Sequence, residues 1–283
     1  MRTKAAVLLL AAGIMSMLVP GCASNPSAKK PGTVTREASA PSAPVSPNPR
    51  KGPGESHRTA AFRAWGLEPL PAPPTPPQVK PGKMSLGSVP VIQDVPVKDR
   101  VVFLTFDDGA EKDPEFVRMM QDLRIPFTMF LTDAAIRNGY NYFKPLQDLG
   151  NAIQNHTLTH PDLLALSQSA QENEICGQQR RLAEEYGTPP RFFRPPYGNW
   201  NEATRAAAQS CGIEAIVLWR ETMQIKNLRY QRGDGKLHPG DIILAHFRGA
   251  KDLKGTTATE MTLTLLRRIQ EQGFTVARLD DYL

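Results

Sequence analysis

The chain has 283 residues and a formal net charge of +6, with 40% hydrophobic and 22% charged residues. The charge is unevenly placed: residues 1–98 carry 12 Lys/Arg against 4 Asp/Glu, and residues 99–283 carry 22 against 24. The second part lacks the basic excess of a nucleic-acid binder, which excludes that class of partner.

Met1 to about Val19 reads as an export signal. Arg2 and Lys4 give a charged start, and the apolar run that follows is shorter than the ~20 residues a membrane-spanning helix needs. Val19-Pro20-Gly21-Cys22 places a small residue before a cysteine, as in a bacterial lipoprotein cleavage box, although Pro20 is atypical of one. Residues 1–22 are therefore expected to end in a lipidated Cys22 that anchors the protein on the outer face of the cell membrane. Cleavage behind Ala23 and secretion is the alternative. Residues 23–98 hold 16 of the 26 prolines and read as a basic Pro/Ala-rich tether suited to anionic lipids or wall polymers. Within it, Ala60–Leu70 carries Phe62, Trp65 and Leu67, and either docks on the folded part or stands alone as an apolar turn.

From residue 99 the pattern changes to that of a folded domain, 99–283. Apolar runs predict strands at 101–106, 127–131, 152–154, 192–193, 214–219, 241–247 and 274–279. Helical patterns fall at 114–123, 142–149, 168–186, 202–211 and 257–272, two of them closed by Gly187 and Gly273. Strands alternating with helices demand parallel strands joined by crossovers. About seven strands in this length predict an α/β fold, a distorted and incomplete (β/α) barrel, with an open doubly wound sheet as the alternative. In both, ligands sit at the carboxyl ends of the strands. Asp107, Asp108, His156, Arg194, Trp219 and His246 all lie at such ends. Cys176 and Cys211 fall on two consecutive helices, where they form either a disulfide, as export permits, or two buried thiols.

His156 and His160 are four residues apart, and on a helical turn they would share a face and grip one ion. A carboxylate is the natural third ligand, and three such ligands leave room for water and substrate. Asp107 and Asp108 end an apolar strand, where neighbours point in different directions, so one can bind metal while the other faces bound water.

These residues carry a resemblance. Thr105-Phe106-Asp107-Asp108-Gly109, His156-Thr157-Leu158-Thr159-His160, Arg194-Pro195-Pro196-Tyr197-Gly198 and Leu244-Ala245-His246 resemble four motifs of the NodB-like polysaccharide deacetylases, carbohydrate esterase family four. The resemblance implies a distorted β/α barrel that removes acetyl groups from an amino-sugar polymer. It implies Asp107 as general base, oriented by Arg194, with Asp108, His156 and His160 holding a divalent metal, zinc or another such as cobalt. It further implies the Tyr197 backbone N–H as oxyanion donor, His246 as general acid, and Leu244 and Trp219 against the substrate. The expected working state has Asp107 ionised and His246 protonated. A monomer acting on cell-wall polysaccharide is expected.

The fourth motif of the family departs here. Leu218-Trp219-Arg220-Glu221 keeps the tryptophan but not the aspartate that serves the catalytic histidine, leaving Glu221 either as a substitute or as a surface charge. Removal of O-acetyl groups from a xylan-type polymer, and sugar binding with weakened catalysis, are the competing functions.

Overall fold

The computed structural model describes residues 53–81 and 87–283. Cys22 and most of the proposed leader and tether lie outside the described residues. In chain order the elements are α1 (Pro53–Ala64), β1 (Val91–Ile92), β2 (Val101–Asp108), α2 (Pro114–Leu123), β3 (Thr128–Leu131), α3 (Asp133–Ile136), α4 (Lys144–Asp148) and β4 (Ala152–Asn155). Then come α5 (Gln168–Tyr186), β5 (Phe192–Phe193), α6 (Glu202–Ser210), β6 (Ala215–Val217), β7 (Glu221–Met223), β8 (Leu228–Tyr230), β9 (Ile242–His246), α7 (Ala258–Glu271) and β10 (Thr275–Val276).

One sheet takes the order β1-β6-β5-β4-β3-β2-β9-β7-β8, with β10 paired to the start of β2. Every strand pair is parallel except the β7–β8 hairpin. Its closure follows from the chain itself. β6 and β7 lie near opposite ends of that order, yet only Leu218, Trp219 and Arg220 join them. A connection that short reaches little more than ~13 Å, so the sheet must curl until its flanks are neighbours. The backbone of Val95, just past β1, accordingly donates to Gly240 beside β9. The expected distorted, incomplete barrel is what forms. The seven predicted strands are present as β2–β6, β9 and β10; β1, β7 and β8 are additional.

The helices start and stop for local reasons. Asp113 caps α2 by accepting from Glu115 N, and Pro114 occupies the first helical turn, where a missing N–H costs nothing. Ser167 caps α5, and Gly187 ends it at φ 73°, a left-handed position that suits glycine. Cys176 of α5 and Cys211 at the end of α6 are joined by a disulfide across a Cα–Cα distance of 5.0 Å. The bridge closes a 35-residue separation, for which chain entropy gives a stabilisation of roughly 3–4 kcal/mol. Cys211→Ser is expected to lower unfolding stability by about that amount in a urea titration; an unchanged midpoint would show that the bridge contributes nothing.

The boundary at residue 98 needs correction, because part of the proposed tether belongs to the folded unit. Phe62, Leu67 and Leu70 are buried in the main core with Leu266, Ile269 and Val276. Trp65 Nε1 donates to Asp122 at 2.9 Å, and Lys80 Nζ donates to the carbonyl of Leu283 at 2.8 Å. The described residues from Pro53 onward form one compact unit, and the Ala60–Leu70 segment is docked. Among the described residues no helix is long and apolar enough to cross a membrane.

Candidate active site

Ladder register brings the strand-end residues together. Asp107 is paired with His246 on one side and Phe130 on the other, Phe130 with Gln154, and Phe192 with Ala215. Strand residues alternate between faces, so Asp107, His156, Arg194, Trp219 and His246 all project to the barrel interior. Phe103, Phe192, Val217 and Ile242 fill the interior below them, and Phe130 lies level with Asp107. Thus the polar residues form the top layer of an apolar barrel, at the carboxyl ends of its strands.

Arg194 organises this layer. Its side chain is fully buried. Nη1 donates to Asp107 Oδ1 at 2.6 Å and to Thr105 Oγ1 at 2.8 Å. Nε and Nη2 donate to the carbonyls of Val217 and Leu218. The guanidinium lies 4.2 Å from the Phe130 ring centroid. Thr105 passes the contact on by donating to the Ile243 carbonyl at 2.8 Å. Thr105 and Phe130 were not singled out by sequence, although a threonine inside the run Val101–Phe106 was a legible signal.

Strict alternation would turn Asp108 away from this cluster. Its φ of 71° breaks the pleat, and Oδ1 stands 3.5 Å from His156 Nε2 and 3.4 Å from His160 Nε2. Two ligands about 2.0–2.1 Å from one tetrahedral ion lie about 3.4 Å apart, so these spacings fit a shared cation. Asp108 Oδ1 is also buried with no hydrogen-bond partner, as a ligand atom would be. Candidate ligand atoms of Asp108, His156 and His160 all fall within 4.8 Å of one another. His156 Nδ1 lies 2.7 Å from the Arg194 carbonyl. A carbonyl only accepts, so Nδ1–H donates and Nε2 is left to face an ion, the outer-shell arrangement usual for ligating histidines.

The histidine pair does not use a helical turn as expected. Residues 156–160 form a loop in which Thr157 (φ 67°) and His160 (φ 60°) are left-handed. Asn155 Oδ1 accepts from Thr157 N, and Thr157 Oγ1 accepts from His160 N. Glu174 of α5 fixes Thr159 through both its N–H and hydroxyl. Asp108, Thr157, His160 and Tyr197 (φ 61°) are four non-glycine residues at this one site in a conformation costing about 1–3 kcal/mol each. The glycines serve close packing: a Cβ on Gly109 would meet Ile136 at 2.5 Å, and one on Gly198 would meet Trp219 at 2.9 Å. Leu244 is buried in register with Thr105, two residues below His246 on the same face.

The electrostatics separate the groups. Burial opposes charge on Asp108, but the facing imidazoles of His156 and His160 hold it far below the usual carboxylate range. Burial opposes charge on His156, yet Asp107, then Asp108 and the Arg194 carbonyl, raise it above the ordinary imidazole value. A divalent ion must displace that proton. Apparent metal affinity should therefore fall as pH drops, by up to about tenfold per unit for each proton displaced, beginning above pH ~6.5. Calorimetric zinc titrations between pH 8 and 6 measure this; a flat affinity would contradict the assignment of His156 as a ligand. His246 behaves oppositely: burial outweighs the attraction of Asp107 and Asp108 and pulls it down to about 4. Burial thus favours the neutral ring, whereas the expected working state has His246 protonated.

Glu221 is neither the substitute partner of His246 nor a surface charge. It is fully buried on β7, level with Ile243, and Arg232 approaches its Oε1 at 3.7 Å. Burial and then the neighbouring Asp241 charge push its carboxyl well above the usual range. Asp241 lies at the opposite end of β9 from His246. His238 belongs to the same distant group, 3.1 Å from Asp234. Trp200 is covered by Arg205 and packs on the outer core.

A family model described as polysaccharide deacetylase matches residues 94–216. A Streptomyces coelicolor protein of uncharacterised activity is 44% identical over 198 residues, covering 69% of this chain and 77% of its own length. The chain belongs to the NodB-like polysaccharide deacetylases, carbohydrate esterase family 4. This deacetylase is also 26% identical to the peptidoglycan-N-acetylmuramic acid deacetylase PdaA of Bacillus subtilis, over 66% of the chain and 72% of PdaA. The fold matches the solved PdaA structure with a TM-score of 0.56 at 21% identity, over 68% of this chain and 84% of that one. It matches the chitin deacetylase of Colletotrichum lindemuthianum with a TM-score of 0.57 at 17% identity, over 70% and 93%. As members of this family are, the deacetylase is a hydrolase.

Proposed function

We propose that the protein is exported and removes N-acetyl groups from an amino-sugar polymer, peptidoglycan or chitin-like, releasing acetate. The observation that carries this reading is the placing of an Asp-His-His donor set beside a carboxylate fixed by a buried arginine. The relatives named for peptidoglycan and chitooligosaccharide deacetylation supply the substrate class.

An ion held by Asp108, His156 and His160, zinc by the nature of the donors, would polarise the acetyl carbonyl and acidify water. Asp107 accepts the proton of the attacking water. Oδ1 is committed to Arg194, so Oδ2, which lies 3.7 Å from His156 Nε2, is the basic atom. The Tyr197 N–H donates to the developing oxyanion, an effect worth roughly 3–4 kcal/mol when well aimed. An amine cannot leave as an anion, so a proton must reach the nitrogen. His246, in register with Asp107, receives the proton from it and delivers it to the leaving amine. Leu244 meets the acetyl methyl, and Trp219 walls the sugar. The leader proposed at Cys22 would hold the enzyme at the membrane beside its polymer.

One observation favours a second reading. His246 has lost the carboxylate that would stabilise its charged form, and an ester leaving group needs less help from an acid than an amide does. The test is acetate release by the zinc-loaded protein from N-acetylglucosamine oligomers, peptidoglycan fragments and acetylated xylan. Release from the amino-sugar substrates supports the first reading. Release from xylan alone transfers the proposal to the ester.

A further inference from the structure

The two histidines of the donor set are supported unequally. His156 is turned by the Arg194 carbonyl at its Nδ1. Among the described residues the His160 ring has no such partner at Nδ1; it meets the rings of His156 and Tyr197 edge-on, each at 4.9 Å. A ligand without a partner behind its ring is aimed by its backbone. That backbone is left-handed, at φ 60°, and such a conformation persists only where the surroundings hold it.

What holds it is α5. Glu174 takes Thr159, the residue before His160, at two points: its carboxylate accepts from the Thr159 N–H at 2.8 Å and from the Thr159 hydroxyl at 2.7 Å. The Glu174 carbonyl accepts from Leu158 N at 3.2 Å. On its other side Leu158 is fixed through its own carbonyl, which accepts from Ala134 N at 2.8 Å and from Thr132 Oγ1 at 3.2 Å. The Leu158 side chain lies directly on the helix at Gly177, where an added Cβ would meet Leu158 Cδ1 at 2.3 Å. Glycine is disfavoured inside a helix, so its place three residues after Glu174 marks where the loop comes against α5. Cys176, between the two, is bonded to Cys211 and ties this turn of α5 to the end of α6. Glu174 itself is not among the atoms that could ligate the ion.

We propose that Glu174 is a positioning residue of the metal site: its two-point hold on Thr159 fixes the backbone of His160 and thereby sets how tightly the ion is bound. Position and charge are separable. Aspartate at 174 keeps the charge but ends one methylene short, and α5 is packed too firmly to follow. Thr159→Val keeps the charge and removes one of the two bonds, whereas Thr159→Ser keeps both. The inference rests on the metal site of the function proposed above, and is independent of which bond that site cleaves.

Zinc affinity of the intact protein, measured by competition with a chromogenic chelator, tests it, and the visible spectrum of the cobalt-loaded protein reports the ligand geometry. Glu174→Gln and Glu174→Asp should each weaken zinc binding by about tenfold and Thr159→Val by about threefold, with the cobalt bands displaced. Thr159→Ser should match wild type. Ile269→Val, a core change on α7, should lower the unfolding midpoint and leave zinc affinity unchanged, which separates positioning from loss of stability. This order of affinities with no acetate released would support the hold on Thr159 while removing the deacetylase reading. Weakening by Glu174→Gln alone would assign the effect to charge and overturn the proposal. Wild-type affinity in both Glu174 variants, or an equal loss in Ile269→Val, would also overturn it, and a wild type that binds no zinc would overturn both readings.

Discussion

Replacing Arg194 with methionine is expected to destabilise the fold by about 3–5 kcal/mol and to reduce kcat/KM by at least about a hundredfold. Methionine fills much of the same volume but supplies none of the four donors. Asp107, only 2% exposed, would lose its buried counterion. The carbonyls of Val217 and Leu218 and the hydroxyl of Thr105 would lose their partner in the barrel interior. Removing one member of a buried pair costs more than the pair contributes, since the survivor is left desolvated. Lysine is no remedy, because a single ammonium cannot serve Asp107, Thr105 and two carbonyls at the geometry of a planar fork. Urea unfolding and steady-state kinetics read the two effects. A stable variant with kcat/KM within tenfold of wild type would show that Arg194 orients nothing essential.

Asp107→Asn should have the largest effect on turnover alone: a fall in kcat of about 10²–10⁴, with one zinc still bound per chain. Asparagine keeps the shape and a carbonyl oxygen for Arg194 Nη1, so the barrel layer should survive. It removes the basic Oδ2 without touching the donor set of Asp108, His156 and His160. Metal content by atomic absorption, beside initial rates, separates this outcome from simple loss of the ion. If the variant loses zinc and activity together, Asp107 belongs among the ligands and the division of labour between the two aspartates is wrong.

The catalytic layer could be read from sequence because its signal is positional. At the ends of β2, β4, β5, β6 and β9 the strand gives way to Asp107, His156, Arg194, Trp219 and His246, and pairing a parallel sheet in register makes those ends coincide. The long helices were legible for a similar reason: α5 has Ser167 before it and Gly187 after it, and α2 has Asp113 and Pro114. What escaped detection is short or depends on distant partners. β1, β7 and β8 have two or three residues each, too few for periodicity to appear. The docking of Phe62, Leu67 and Leu70 is decided by an apolar surface made partly from α7, some 200 residues away in the chain. Glu221 stands two residues from Trp219 and therefore looked like a neighbour of the site. The curl of the sheet instead carries it to the Asp241 end of β9. The loop of His156 and His160 achieves by left-handed residues what four-residue spacing suggested for a helix, and no local pattern announces that.

The central claim is that one divalent ion on Asp108, His156 and His160 works with Asp107 to cleave an acetyl group. Its most direct test is to titrate zinc into the metal-stripped protein while following heat and acetate release from N-acetylglucosamine oligomers together. Both curves should saturate at one ion per chain with a shared midpoint, and His156→Ala should lose both. Full turnover before any ion is added, or an ion that binds with no effect on turnover, would contradict the account.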